Sequence, residues 1–304
     1  MDVALVTCSQ RPHLSHSDSL LQRALVARGI DTQPLIWDDS AVDWSRPLVS
    51  IIRSTGDYYH QHAAFLEWAQ RVSQLHTLWN PFPLLRWNTH KSYLHDLEER
   101  GVPIIPTLSF AQGSSANLEQ LMEVHGWPEV VIKPAISANA YGTILVEEGL
   151  ATEGQLYLDH MLSIHDMLIQ PYIPTVMSSG ERSLIFIDGK VTHAVLYPPV
   201  LSRDGIMKSD LPKRGLIVPH EEELRLVYKI IDTLHSPVLY ARIDLVRDVD
   251  GQLRVMEIEL IEQGLWLDQV PEAVERFADA ITREVERARS IPTREMPNIG
   301  KPKA

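Results

Sequence analysis

The sequence predicts a mixed fold: a parallel α/β unit at the N-terminus, followed by an α+β region built on antiparallel strands. Three observations point there. The first ninety or so residues alternate short apolar runs with helical periodicity, as βαβ units do. From about residue 128 the texture turns β-rich, with apolar runs separated by turn residues. A chain of 304 residues with 44% hydrophobic and 22% charged content is also long enough for two or three subdomains sharing a buried core.

In chain order, "DVALVTC" reads as a short buried strand, "SLLQRALVARGI" as a helix stopped by its glycine, and "LVSIIRST" as a second strand. "AAFLEWAQRVSQLHTLW" has amphipathic helical spacing, and "NPFP" breaks it. "NTHKSYLHDLEERGVPIIPT" predicts a helix capped at Asn88 or Thr89, with Leu94 and Leu97 on one face, Gly101 ending it and an extended exit. Strands are expected at "EVVIKP", "TILV", "MLIQPYI", "RSLIFIDGKVTHAVLY", "VLYARIDLV" and "LRVMEIEL", with "IDGKV" as a hairpin turn. The helices "EEELRLVYKIIDTLH" and "PEAVERFADAITREVERARS" complete the pattern, and "PTREMPNIGKPKA" has the polar texture of a loose tail.

Composition argues against several classes of function. The formal charge of −12, with no basic stripe, disfavours nucleic acid and anionic membrane surfaces as partners. No apolar run approaches the roughly eighteen residues of a membrane span, and "MDVALVTCSQRPHL" lacks a signal-peptide pattern, so a cytoplasmic protein is expected. Cys8 is the single cysteine, which leaves no internal disulfide, CxxC pair or cysteine-rich zinc site; it is expected to pack at the end of the first strand. The thirteen histidines form no metal constellation, and neither a GxSxG elbow nor a GxGxxG fingerprint is present.

The segment "VLYARIDLVRDVDGQLRVMEIEL" reads as two strands around the turn "RDVDG". Alternation puts Leu239, Ala241, Ile243 and Leu245 on one face and Tyr240, Arg242 and Asp244 on the other. On the second strand Met256, Ile258 and Leu260 are apolar, with Val255, Glu257 and Glu259 opposite. Matching the apolar faces brings Asp244 beside Glu257 or its strand neighbour, because a slip by one residue would bury the acids. Three carboxylates then crowd one face with one arginine, and crowded like charges raise one another's pKa unless a cation intervenes. A divalent ion taking hard oxygen ligands, Mg²⁺ or Mn²⁺ rather than zinc, resolves that conflict. A solvated strand face whose acids pair with lysines elsewhere resolves it equally, and the alternation leaves both open.

"EVVIKPAISANAYGTILV" places Lys133 at a strand end, ahead of a loop of small residues whose backbone N–H groups could close over phosphate oxygens. It contains no GxxxxGK[ST], and a plain hairpin loop with a surface lysine fits as well. Lys91 falls in the first turn of its predicted helix, where the dipole disfavours a cation and a bound anion would reverse the penalty. A solvated helix lysine is the plainer alternative.

Taken in order and spacing, "WNTHKSYLHDLEERGVPIIPT", "VVIKPAISANAYGT", "LIQPYIPTVMSSGERSLIFIDGKVTHAV" and "YARIDLVRDVDGQLRVMEIELIE" resemble the ATP-grasp ligases, particularly the glutathione-synthetase-like branch, over about residues 79–267. "WDDSAVDWSRPLVSIIRSTGDY" further resembles the small ATP-grasp ligases of amino-acid-derived natural products, such as the O-ureido-serine cyclo-ligase of cycloserine biosynthesis. The resemblance implies an ATP-grasp fold. It divides the chain into a βαβ substrate-binding domain over 1–90, a lid subdomain over 91–168, an antiparallel-sheet subdomain carrying the Mg/ATP floor over 169–290, and a flexible tail over 291–304.

The resemblance also implies roles. Lys91 and Lys133 contact nucleotide phosphates, and Ser137 to Gly142 form the mobile lid loop. Gln170, Pro171, Tyr172 and Ile173 form the hinge against adenine, with Glu181 nearby. Asp244, Glu257 and Glu259 hold Mg²⁺, and Arg242 faces the transferring phosphoryl group. The implied chemistry is ADP-forming ligation of a carboxylate to an amine through an acyl phosphate, within one molecule or between two. ATP, Mg²⁺ or Mn²⁺ and a small amino-acid-like substrate are the implied partners, and a homo-oligomer is compatible with the reading.

Several positions depart from that pattern. Gly142 is the single lid glycine where relatives often carry two or three, and Leu196 and Tyr197 stand where close relatives commonly carry a lysine. Lys208 replaces an arginine, Gln263 and Gly264 replace Pro-Ser, and Gly56 replaces an aromatic. The changes cluster on the acceptor and acyl-phosphate side. Arg53, Ser54, Thr55 and Asp57, ending a strand of the parallel unit, are the expected substrate contacts, with Lys208 facing the same pocket; a capped loop is the plainer alternative. A phosphotransferase and a noncatalytic nucleotide-binding protein are the other classes in play. Free phosphate appearing with ADP only when an amine is present discriminates against the first, and Mg²⁺-dependent ATP binding against the second.

Overall fold

The computed structural model describes residues 1–147, 149–197 and 215–290. No helix among them is long and apolar enough to cross a membrane. The chain opens with β1 (Val3–Thr7), α1 (His16–Ala27), β2 (Thr32–Ile36), β3 (Val49–Ser54), α2 (His62–Leu75) and β4 (Thr77–Trp79). The strands form a wholly parallel sheet in the order β2-β1-β3-β4. β1 is buried at all five residues, as a strand covered on both faces must be. Cys8 is buried just beyond it, and burial, then the neighbouring Asp57 carboxylate, push its thiol up to about 11. α1 begins at Ser15, whose side chain accepts from the Asp18 amide. The helical spacing predicted to continue through Trp79 ends at Leu75; Thr77–Trp79 gain the open edge of β3 instead.

Two short helices, α3 (Phe82–Asn88) and α4 (Tyr93–Glu99), replace the single helix expected after the NPFP break. Asn88 therefore ends a helix rather than capping one. Its side chain donates to the Ile258 carbonyl at 2.8 Å and accepts from the Leu260 amide at 2.9 Å, far along the chain. The expected placement of Lys91 in a first helical turn is likewise corrected, since it lies between the two helices.

A second, antiparallel sheet follows. It contains β5 (Leu108–Phe110), β6 (Val130–Pro134), β7 (Ile144–Val146) and β8 (Met167–Pro171), in the order β5-β8-β6-β7. Helices α5 (Leu118–His125) and α6 (Ala151–Leu162) cover it through a core that includes Leu118, Ile132, Leu158 and Ile169.

The third sheet is also antiparallel. After α7 (Val176–Ser179) come β9 (Glu181–Ile187), β10 (Lys190–Tyr197), β11 (Gly215–Ile217), α8 (Glu221–Thr233), β12 (Tyr240–Arg247), β13 (Leu253–Glu259) and α9 (Pro271–Ser290), with strand order β11-β10-β9-β12-β13. Asp188 and Gly189, both at positive φ, make the β9–β10 turn that "IDGKV" predicts. Leu184, Phe186, Ala241 and Ile243 face α4 and α8. Ile185, Ile187 and Tyr240, on the opposite face, share one core with α9, α1 and the parallel sheet. Further along β12, that opposite face carries Arg242 and Asp244 into a cavity.

Candidate active site

The cavity has a volume of about 740 Å³ and is bounded by residues from all three sheets. Its floor is the β12–β13 ribbon, where Arg242 opposes Glu259 and Asp244 opposes Glu257. The expected juxtaposition is therefore present, but with an irregularity that strict alternation misses. Leu245 opposes Val255, so Met256 is the extra residue of a β-bulge. Val255 turns into the core and Met256 lines the cavity, reversing the faces predicted for that pair while leaving Glu257 and Glu259 together.

The Arg242 guanidinium grips both oxygens of Asp244, with contacts of 2.9 Å to each, and pairs with Glu259 as well. Lys91 Nζ lies 2.7 Å from Glu257 Oε1 and donates to the Ser137 carbonyl at 2.7 Å. Lys133 is buried beside them; burial depresses its ammonium pKa, against the pull of Glu257. Glu181 hydrogen-bonds Asp244, and its carboxyl is pushed up to about 8 by burial first and by the Asp244 charge next. Burial, then the neighbouring acids, also lift Glu259 well above the carboxylate range, and burial lifts Glu262. Glu257 is the exception: burial pushes it up, but Lys91 and Lys133 hold it below its ordinary value.

Five carboxylates thus meet three cations on this floor, and protons absorb part of the excess. The donor set consists of hard oxygens, so the residues fit Mg²⁺ or Mn²⁺ in chemistry and in charge. Among the described residues no three acids, histidines or cysteines are grouped around one point as a metal site. The reason is visible: Arg242 bridges Asp244 and Glu259, and Lys91 holds Glu257.

Beside the floor lies an apolar slot lined by Ile105, Val131, Tyr172, Ile173, Val176 and Met256. The hinge residues border it. Gln170 is fixed by a 2.8 Å bond from its side chain to Thr107 Oγ, and the Tyr172 amide donates to the Glu129 carbonyl at 2.9 Å. Pro171, Ser137 and Glu181 line the same cavity. Gly142, at φ +65, is not part of the cavity wall, and an added Cβ there would meet Pro134 Cγ at 2.8 Å.

The predicted substrate residues divide. Arg53 and Ser54 line the cavity, while Asp57 accepts from Trp37 Nε1 at 3.4 Å, and neither it nor the buried Thr55 is part of the cavity wall. Lys208 lies outside the described residues. Sequence reasoning missed Asp18, whose Oδ1 sits 2.7 Å from Arg53 Nε, because an acid in the first turn of a helix reads as a capping residue. It also missed Ile105, Val131 and Met256, since apolar residues in strands carry no mark of a ligand.

Known proteins resemble this chain in sequence and in fold. The family described as "D-cycloserine synthetase DcsG, N-terminal domain" matches residues 3–80. The cycloserine biosynthesis protein DcsG of Streptomyces lavendulae is 31% identical over 294 residues, covering 93% of this chain and 98% of that protein. The crystal structure of D-cycloserine synthetase DcsG superposes with a TM-score of 0.86 at 30% identity, over 95% of this chain and 100% of that one. The ATP-grasp RimK domain protein of Sphaerobacter thermophilus gives a TM-score of 0.69 at 17% identity, over 92% and 99% of the two chains. The fold is the ATP-grasp fold, and the molecule is an ATP-grasp ligase. Within that class, the chain belongs to the family of the D-cycloserine synthetase DcsG.

Proposed function

We propose that this ligase is an ADP-forming cyclo-ligase of antibiotic biosynthesis, using ATP and Mg²⁺ to join the carboxylate of an amino-acid-derived substrate to a nitrogen of the same molecule. The observation that carries this reading is the meeting of Arg242, Lys91, Lys133 and the acid floor in one cavity with Arg53 and Asp18, in a chain 31% identical to DcsG over 93% of its length. The substrate carboxylate attacks the γ-phosphorus of ATP, releasing ADP and forming an acyl phosphate. A nitrogen then attacks the acyl carbon, the C–O bond to phosphate breaks with its electron pair, and the nitrogen loses a proton. With O-ureido-serine, attack by the nitrogen bonded to oxygen closes a five-membered ring.

In this reading the apolar slot takes adenine, and the Gln170–Ile173 backbone fixes its edge. Lys91 and Lys133 offset phosphate charge, and Arg242 meets the phosphoryl group in flight, where positioned charge lowers the barrier most. Asp244, Glu257 and Glu259 would hold Mg²⁺, which when bound offsets charge across the phosphates. Ser137 to Gly142 close over the site and exclude water, which would hydrolyse the acyl phosphate. Arg53 and Ser54, with Lys208, face the substrate.

The test is a phosphate-release screen of O-ureido-serine and amino acids, singly and in pairs, with mass spectrometry of the products. Stoichiometric ADP and phosphate from one substrate alone supports ring closure. A requirement for two substrates supports intermolecular ligation, and ADP without free phosphate supports a phosphotransferase.

A further inference from the structure

The loop between β6 and β7 meets the cavity with only part of its surface. Ser137, Ala138, Asn139 and Ala140 line the cavity, whereas Tyr141, the largest side chain of the loop, is not part of the wall. Its ring instead lies 5.0 Å from that of Tyr59 and 5.4 Å from that of His60, and those two rings approach each other to 4.1 Å. Tyr59 and His60 belong to the 3₁₀ turn Tyr58–Gln61, between β3 and α2. A second approach runs beside the rings: a Cβ added at Gly56 would lie 3.6 Å from Asn139 Nδ2, so the loop tip also closes on the backbone after β3.

The roots of the loop are held elsewhere. The Ser137 carbonyl accepts from Lys91 Nζ, and the Gly142 carbonyl accepts from the Tyr157 hydroxyl at 2.7 Å. The tip between them holds two successive non-glycine residues in the left-handed region, Asn139 at φ +53 and Ala140 at φ +56. That conformation is disfavoured for a residue with a Cβ, for alanine more than for asparagine, and it persists only where the surroundings compensate. Tilted and edge-on ring contacts such as those of Tyr141 are of comparable size to the penalty. The covering conformation is therefore finely balanced, and the rings tip it. We propose that Tyr141 is a positioning residue that clasps the loop onto Tyr59 and His60, so that the cover over the nucleotide and the segment running on from Arg53 and Ser54 come together in one step. The proposal rests on the reading of the cavity as a nucleotide and substrate site and deepens it by naming what holds the cover in place.

The experiment is hydrogen–deuterium exchange of the full chain, read by mass spectrometry on peptides covering the loop. The Tyr141 and Thr143 amides donate to the Ala138 and Ala140 carbonyls at 3.0 and 3.1 Å, so they exchange when the loop opens. Tyr141→Ala is expected to speed that exchange by about 3- to 10-fold, the population shift that one ring contact supports. Tyr141→Phe, which keeps the ring, should exchange like wild type. Tyr59→Ala should act in the same direction as Tyr141→Ala, and the double variant should exchange no faster than Tyr141→Ala alone, as partners in one contact do. In steady state Tyr141→Ala should raise the KM for Mg-ATP more than it lowers kcat and release phosphate in excess of the C–N product, with Tyr141→Phe restoring both. Unchanged exchange in Tyr141→Ala, no rescue by phenylalanine, or additive effects of the two alanines overturns the proposal. If Tyr59→Ala fails to fold, the alanine and phenylalanine variants at the exposed Tyr141 decide the matter. Failure of the clasp is separable from failure of the functional reading. Faster exchange in Tyr141→Ala, in a chain that binds no ADP, would overturn the nucleotide site and leave the clasp standing; ADP binding with unchanged exchange would overturn the clasp alone.

Discussion

The Lys91 ammonium lies 2.7 Å from Glu257 Oε1 while donating to the Ser137 carbonyl at 2.7 Å, so one side chain ties the loop after β6 to the acidic ribbon. Lys91 is buried and Glu257 half-buried, so the pair is only partly screened by water and a lone charge there is costly. A phosphate entering this corner would take over part of the role that Glu257 now fills.

Glu257→Gln and Lys133→Ala should therefore each lower ADP formation by at least about 10²- to 10³-fold, the usual consequence of removing a group that stabilises charge in the transition state. Thermal unfolding followed by circular dichroism should shift by only a few degrees. Near-wild-type turnover in either variant would remove that residue from the site.

Gly142→Ala tests the loop. The position has φ +65, and an added Cβ would press on Pro134, next to Lys133. The left-handed conformation alone costs a non-glycine residue about 1–2 kcal/mol. The expected result is a rise of about tenfold in the KM for Mg-ATP, or an equivalent fall in kcat/KM; unchanged steady-state constants would show that the loop tolerates the substitution.

Asn88→Ala removes two buried hydrogen bonds, one to Ile258 of β13 and one to Leu260 just beyond it, leaving the Ile258 carbonyl and the Leu260 amide without them. Because β13 is an edge strand, these bonds help hold the acid floor in place. A loss of about 2–4 kcal/mol in urea unfolding is expected, with a parallel loss of nucleotide affinity.

The pH dependence follows from Glu181. Its folded-state pKa of about 8 lies above the ordinary value of 4.5, so between those values the native state binds more protons than the unfolded chain. Stability of the nucleotide-free protein in a chelator should consequently be full below about pH 4.5 for this group and fall as pH rises toward 8. Glu259 and Glu262 act with the same sign, whereas Glu257, held low, contributes stability that is lost only on acidification below its ordinary value. Melting temperatures recorded between pH 5.5 and 8.5 should slope downward in wild type. Glu181→Gln should flatten that slope, and an unchanged slope would count against a protonated Glu181.

Much of the site is legible because it is written locally. Period-two alternation identifies the faces of β12, and Glu257 and Glu259 share a side whatever the strand pairs with. "IDGKV" and "RDVDG" turn where their glycines allow. The errors also have local causes. Asn88 carries the chemistry of a helix cap, but its hydrogen bonds go to β13, which no spacing rule reports. Strict alternation assigns Met256 to the core, and the bulge that overrules it buries Val255 instead.

By itself the sequence determined the βαβ opening, the acid face of the hairpin and the order of motifs that marks an ATP-grasp ligase, because each depends on neighbours a few residues apart. Only the tertiary structure decided which cation answers each acid, that Thr55 and Asp57 lie outside the cavity wall, and that the Gln263 carbonyl accepts from Arg53. Those outcomes depend on groups as far apart as Arg53 and Gln263, joined where distant parts of the chain meet, and burial there sets the strength of every charge and hydrogen bond.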